Sequence, residues 1–157
     1  MRTTIDASRV RFENLTDEQV DSIYNDDYVK EQYRNDLDNF VRNNNDNSSY
    51  IGAFVDGDLA GMFYCTEISS LETEVHLAFY KDYRYHVKDI CKYFIEWMLV
   101  DNNVKRITTF VYDYRRTVVN MLLKLGFKYE GYMANCAIKD GILYGKHVLG
   151  VYYGRWR

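Results

Sequence analysis

Proline is missing from all 157 residues, and cysteine, histidine and glycine are sparse at 3, 3 and 9. Ordinary proline usage is about 5%, while tyrosine, at 16, is abundant. The three cysteines, Cys65, Cys91 and Cys136, lie far apart and form no C-x-x-C pair. An odd, scattered set does not make a disulfide framework and reads as small buried thiols in a reducing cytoplasm. His76, His86 and His147 lack metal-ligand spacing, and no H-E-x-x-H occurs, so no metal is expected. No signal peptide is visible, and no apolar run approaches the ~20 residues of a membrane span. These absences predict a soluble, cytoplasmic protein with no membrane partner. The net charge of −3 argues against nucleic acid as the main partner.

What is present looks globular. The chain is 47% hydrophobic and 27% charged, and its length predicts one domain over residues 1–157. "SRVRF" (Ser8–Phe12) alternates as a first strand. "TDEQ" (Thr16–Gln19) is a capping box, and a helix should follow to about Asn25. Val29, Tyr33, Leu37, Phe40 and Val41 share one face of a second helix. "NNNDNSS" (Asn43–Ser49) reads as a polar loop. "YIGAFV" and "LAGMFYCTEI" flank the hairpin signal Asp56–Asp58, and Glu72–Tyr80 forms the third strand of this run. Val87, Ile90, Cys91, Phe94, Ile95 and Met98 make a wide apolar stripe on the next helix, which "DNN" (Asp101–Asn103) breaks.

"RITTFV" (Arg106–Val111) reads as a buried parallel strand. A further helix ends at Gly126, a left-handed C′ residue. Strands over about Tyr129–Ile138 and Leu143–Tyr153 are separated by the turn Lys139–Gly141. The predicted order is β-α-α-β-β-β-α-β-α-β-β, an α/β (α+β) fold with a mixed central sheet flanked by helices. The 16 tyrosines read as amphipathic core and rim, and the terminal "GRWR" as a basic tail.

Two stretches carry candidate chemistry. In "FYKDYRYHVKDICKYFIEWML" (Phe79–Leu99) a strand runs through a short loop into a helix, a junction that suits anions because helix-opening N–H groups are free. Such loops are usually rich in glycine, and this one has none. In "ETEVHLAF", alternation puts Glu72, Glu74, His76 and Ala78 on one face and Thr73, Val75, Leu77 and Phe79 on the other. Glu and His on a central strand are costly to bury unpartnered. They stand either as a structural pair or as groups that take a proton in a wet cleft.

This element order, with the Lys124–Gly141 run "KLGFKYEGYMANCAIKDG", resembles the GNAT acyltransferase superfamily. The "GF-x-x-EG" run (Gly126–Gly131) looks like the branch that acetylates protein N-termini, and "EVHLAFYKDYRYH…LLKLGFKYEG" most resembles phage-encoded members. The likeness covers roughly residues 48–153. It implies acetyl transfer from acetyl-CoA, as cosubstrate, to an amine: a protein N-terminus, a lysine or a small molecule. It places Glu74 and His76 as candidate bases. It places cofactor contacts on Phe79, Tyr80, Arg84, Tyr85, His86, Val87, Lys88, Asp89 and Arg115.

The family's pyrophosphate loop reads Q/R-x-x-G-x-G/A. Arg84 matches, and the glycine positions hold Val87 and Asp89. Asp89 caps a helix well but repels a phosphate it faces, and Arg84, His86 and Lys88 offset that charge. Arg115 stands where many relatives have Asn, and Leu122 where many have the Tyr that protonates the leaving thiolate. These departures support an alternative, a catalytically inactive GNAT-fold phage protein with a structural or host-protein-binding role. The resemblance implies host cytoplasm for the enzyme and admits the virion for the alternative. It also admits a homodimer through the last strands.

Overall fold

The computed structural model describes residues 4–36 and 46–156. Asp6 accepts from the Ser8 amide and opens a 3-10 turn over Ala7–Arg9. Strand β1 therefore starts at Val10, later than the alternation suggests, and runs to Asn14. The capping box forms in full. Thr16 Oγ accepts from the Gln19 amide, the Gln19 side chain accepts from the Thr16 amide, and α1 spans Asp17–Tyr24.

Helix α2 covers Asp27–Tyr33, capped by Asp26 on the Val29 amide. It is shorter than the apolar spacing predicts. Arg34 is already extended, and the Asp36 amide donates to Ile138 O at 2.6 Å. The Asp36 carboxylate in turn accepts the amides of Asp140 and Gly141, at 3.1 and 2.9 Å. Capture by a hairpin more than 100 residues away competes with propagation of the helix. Leu37, Phe40, Val41 and the first part of the expected polar loop lie outside the described residues.

Strands β2 (Ser48–Val55), β3 (Asp58–Glu67) and β4 (Glu72–Phe79) form an antiparallel run. Helix α3 (Val87–Glu96) widens to a π turn over Trp97–Asp101. Strand β5 (Arg106–Tyr112), helix α4 (Arg116–Lys124), strands β6 (Lys128–Lys139) and β7 (Ile142–Tyr152) and the short α5 (Tyr153–Trp156) complete the order. The seven strands lie as β1-β2-β3-β4-β5-β7-β6, and β4–β5 is parallel. The fold is the expected mixed α+β sheet. Asp56–Gly57 and Asp140–Gly141 both have positive φ, as two-residue hairpin turns require. Gly126 (φ 100°) ends α4: its amide bonds Leu123 O, and the Phe127 amide bonds Leu122 O.

The sheet is covered on both faces. Val20, Ile23, Tyr24 and Val29 from α1 and α2 pack with Met62 and Ala78. On the other face α3 and α4 bury Ile90, Phe94, Ile95, Val119 and Leu122 against Phe63, Val75, Phe79, Ile107 and Val111. Phe63 and Phe94 stack at the centre of this second core, centroids 3.7 Å apart and planes 4° from parallel. Phe12 and Phe79 meet the pair edge-on.

Candidate active site

The parallel seam between β4 and β5 is short. Glu72, Thr73 and Glu74 pair with Arg106, Ile107 and Thr108, and the pairing stops there. Both strands continue, so beyond Thr108 they part and leave a cavity of about 500 Å³ between them. Its wall includes Glu74, His76 and Leu77 of β4, Phe110 and Tyr112 of β5, Lys146 of β7, Cys91 and Phe94 of α3, Leu122 of α4, and Tyr33 and Arg115. The Tyr80 amide donates to Ala60 O, which fixes the phase of the β3–β4 ladder. Alternation then turns the amides of Leu77 and Phe79 toward the side where β5 no longer pairs.

Glu74 and His76 share the face that alternation predicts. The imidazole Nε2 lies 2.6 Å from Glu74 Oε2, and the two side chains are 36% and 28% exposed for His and Glu respectively. This hydrogen bond holds the Glu74 carboxyl below the usual carboxylate range, against desolvation, and the Lys146 charge acts in the same direction. An ionised carboxylate only accepts, so Nε2 carries the proton and Nδ1 of the neutral ring keeps its lone pair. The pair is thus an imidazole oriented by a carboxylate at the wall of the cavity. A separate chain of hydrogen bonds lies nearby on the same seam: Thr108 Oγ1 donates to Glu72 at 2.7 Å, and Arg106 Nε to Thr108.

The turn before α3 is held mostly by its own atoms. Arg84 Nη1 donates to Lys81 O at 2.9 Å, and its guanidinium lies 4.4 Å over the exposed Tyr85 ring. His86 is the N-cap residue, and its Nδ1 is buried with no hydrogen-bond partner among the described residues. The first intrahelical bond runs from the Ile90 amide to His86 O, so helix geometry leaves the amides of Val87 and Lys88 unclaimed within α3.

Asp89, at a position where glycine was expected, accepts from the Ile5 amide at 3.3 Å. Tyr93 Oη donates to Ile5 O, so two side chains of α3 pin the buried Ile5. Phe79 is in the core, and Tyr80 Oη shares a hydrogen bond with Ser22. Arg115 stacks 4.3 Å over Tyr33 and reaches Gln32 Oε1 at 3.4 Å. The structure therefore brings Glu74, His76 and Arg115 to one cavity, and strings Arg84, Tyr85, His86, Val87, Lys88 and Asp89 along the neighbouring turn.

Two groups at or near the site carry no local motif. Lys146 reaches the wall because β7 pairs Lys146 with Tyr112 and Val148 with Phe110. The buried His147 bonds Asp113 through Nε2 and Tyr129 Oη through Nδ1, both at 2.7 Å. The His147 bond, aided by Arg116, holds the Asp113 carboxyl below its ordinary value of 3.8. A carboxylate whose folded pKa is depressed adds stability above the unfolded pKa and loses it as pH falls through the folded one. Asp113→Asn should therefore flatten the acid limb of a melting-temperature profile below about pH 4, and an unchanged limb would show that the bond adds no acid-dependent stability.

Residues 15–149 match the family described as "Protein of unknown function (DUF2824)", and the chain belongs to that family. No curated protein matches. Among solved structures, spermidine N-acetyltransferase from Vibrio cholerae in complex with CoA and spermine superposes with a TM-score of 0.79 at 11% identity, over 95% of this chain and 98% of that one. Spermidine/spermine N-acetyltransferase from Vibrio cholerae in complex with manganese ions gives 0.75 at 11% identity, over 96% of each chain. At these identities the likeness shows the fold, which is that of the GNAT N-acetyltransferases. No described helix is long and apolar enough to cross a membrane.

Proposed function

We propose that the chain is a single acyltransferase domain that moves an acetyl group from acetyl-CoA to an amine. The observation that carries this is the parted β4–β5 seam with the Glu74–His76 pair on its wall. Acetyl-CoA would supply an activated acyl group. His76 Nδ1, oriented by Glu74, takes the proton that the attacking amine loses, directly or through one water. The amides of Leu77 and Phe79 face the region where charge would build on the acyl oxygen.

The amides of Val87 and Lys88, unclaimed within α3, suit a pyrophosphate, with positive charge nearby on Arg84 and Lys88 and His86 Nδ1, without a hydrogen-bond partner among the described residues, beside them. The engagement of Asp89 with Ile5 gives its carboxylate a role other than facing that anion. Arg115, on the cavity wall beside Tyr33, adds a further positive charge. Leu122 has no proton to give, and solvent serves the leaving thiolate. The likeness of the Gly126–Gly131 run to phage-encoded members and to the N-terminal acetyltransferase branch supports a reading of the chain as a cytoplasmic relative of these.

A second reading rests on the same turn. Arg84 and Asp89 are spent on Lys81 and Ile5, as they would be in a scaffold kept for a structural or host-protein-binding role. The two readings separate on thiol release from acetyl-CoA. Amine-dependent release supports the enzyme, and its absence across a broad amine panel supports the scaffold.

A further inference from the structure

Glu74 is the one carboxylate among the described residues of the cavity wall, and it is already bonded to His76. The wall also holds two cations, Lys146 and Arg115. Arg115 is stacked on Tyr33 and touches the neutral Gln32 amide. Lys146 has no carboxylate of a described residue within the 4.0 Å of an ion pair. Its ammonium sits 4.5 Å over the Phe110 ring. The His76 ring lies along that same phenyl ring, 6.4 Å between centroids and 21° from parallel. Phe110 is thus an apolar floor with the base toward one end and a free cation over it. A polycation would meet net positive charge here, unlike the spermine held by the Vibrio cholerae structure.

We infer that the acceptor is an amino acid-like molecule, with its amine at Glu74–His76, a short carbon stem on Phe110 and a carboxylate at Lys146. This rests on the acyl-transfer reading and makes Lys146 a specificity residue for it. The amine nitrogen bonds to the acetyl carbonyl carbon as the C–S bond breaks, the proton it loses goes to His76, and CoA leaves as the thiolate, which takes a proton from solvent.

The test compares acceptors that differ only in the anion. Glycine, β-alanine and 4-aminobutyrate are each set against the amine lacking the carboxylate, and against spermidine, by thiol release from acetyl-CoA. The expected result is a kcat/KM for the best amino acid at least tenfold above its matched amine and above spermidine. Lys146→Met should then raise KM for the amino acid about tenfold more than KM for the matched amine. A matched amine or spermidine used equally well, or a preference that survives Lys146→Met, overturns the inference and leaves acyl transfer standing. Silence with every amine also overturns it, and a missing acetyl-CoA thermal shift on the same sample shows that the transfer reading falls too.

Discussion

His76→Ala should lower kcat by about a hundredfold, the order that one positioned base contributes, while acetyl-CoA still raises the melting temperature. The asymmetry follows from the geometry. His76 is a wall residue of the cavity, and its Nε2 is committed to Glu74 at 2.6 Å. The free lone pair on Nδ1 is what the substitution removes, and the turn before α3 keeps every contact it has. Glu74→Gln keeps an acceptor for the Nε2 proton but loses the charge that favours a protonated ring, so its loss should be smaller. Steady-state rates at saturating amine, with ligand-induced melting shifts as the binding control, check both. Unchanged kcat in both variants would remove the pair as the base.

Phe94→Ala should be the most damaging single change to stability. The ring is 2% exposed, stacks flat on Phe63 and meets Phe12 edge-on. Large-to-small aromatic truncation in a core costs about 3–5 kcal/mol. At about 2–4 °C per kcal/mol for a chain of this size, that is a fall of roughly 6–20 °C. Phe94 also borders the β4–β5 cavity, so the void would join space already open and has little chance to collapse. Phe94→Leu, closer in volume, should recover part of the loss. A fall under about 3 °C in thermal unfolding for the alanine variant would show that the stack is not central to the core.

Local signals set most of the architecture. Thr16 and Gln19, the Asp–Gly turns and Gly126 act through bonds within a few residues, and each forms as its motif demands. Alternation over Glu72–Phe79 likewise sorts Glu74 and His76 from Val75 and Phe79. What the sequence could not show was long-range. Helix α2 stops at Tyr33 because Asp36 is held by the β6–β7 turn, a partner no local window contains. Asp89 looked like an obstacle to anion binding until Ile5, 84 positions away, appeared as its donor. Lys146 carries no motif, and only the β5–β7 register brings it over Phe110. The strand–helix junction itself was legible, and the contacts of Arg84 and Asp89 qualify its reading as an anion site.

The account turns on whether a helix start without glycine still holds an acyl-CoA. Thermal unfolding with and without acetyl-CoA, with CoA and dephospho-CoA alongside, asks this directly. Ligand at ~100 times its Kd adds about 2.7 kcal/mol, or roughly 5–11 °C here. A shift of that size with both acetyl-CoA and CoA is the predicted result. No shift at millimolar ligand would contradict the account and leave the chain a GNAT scaffold put to another use.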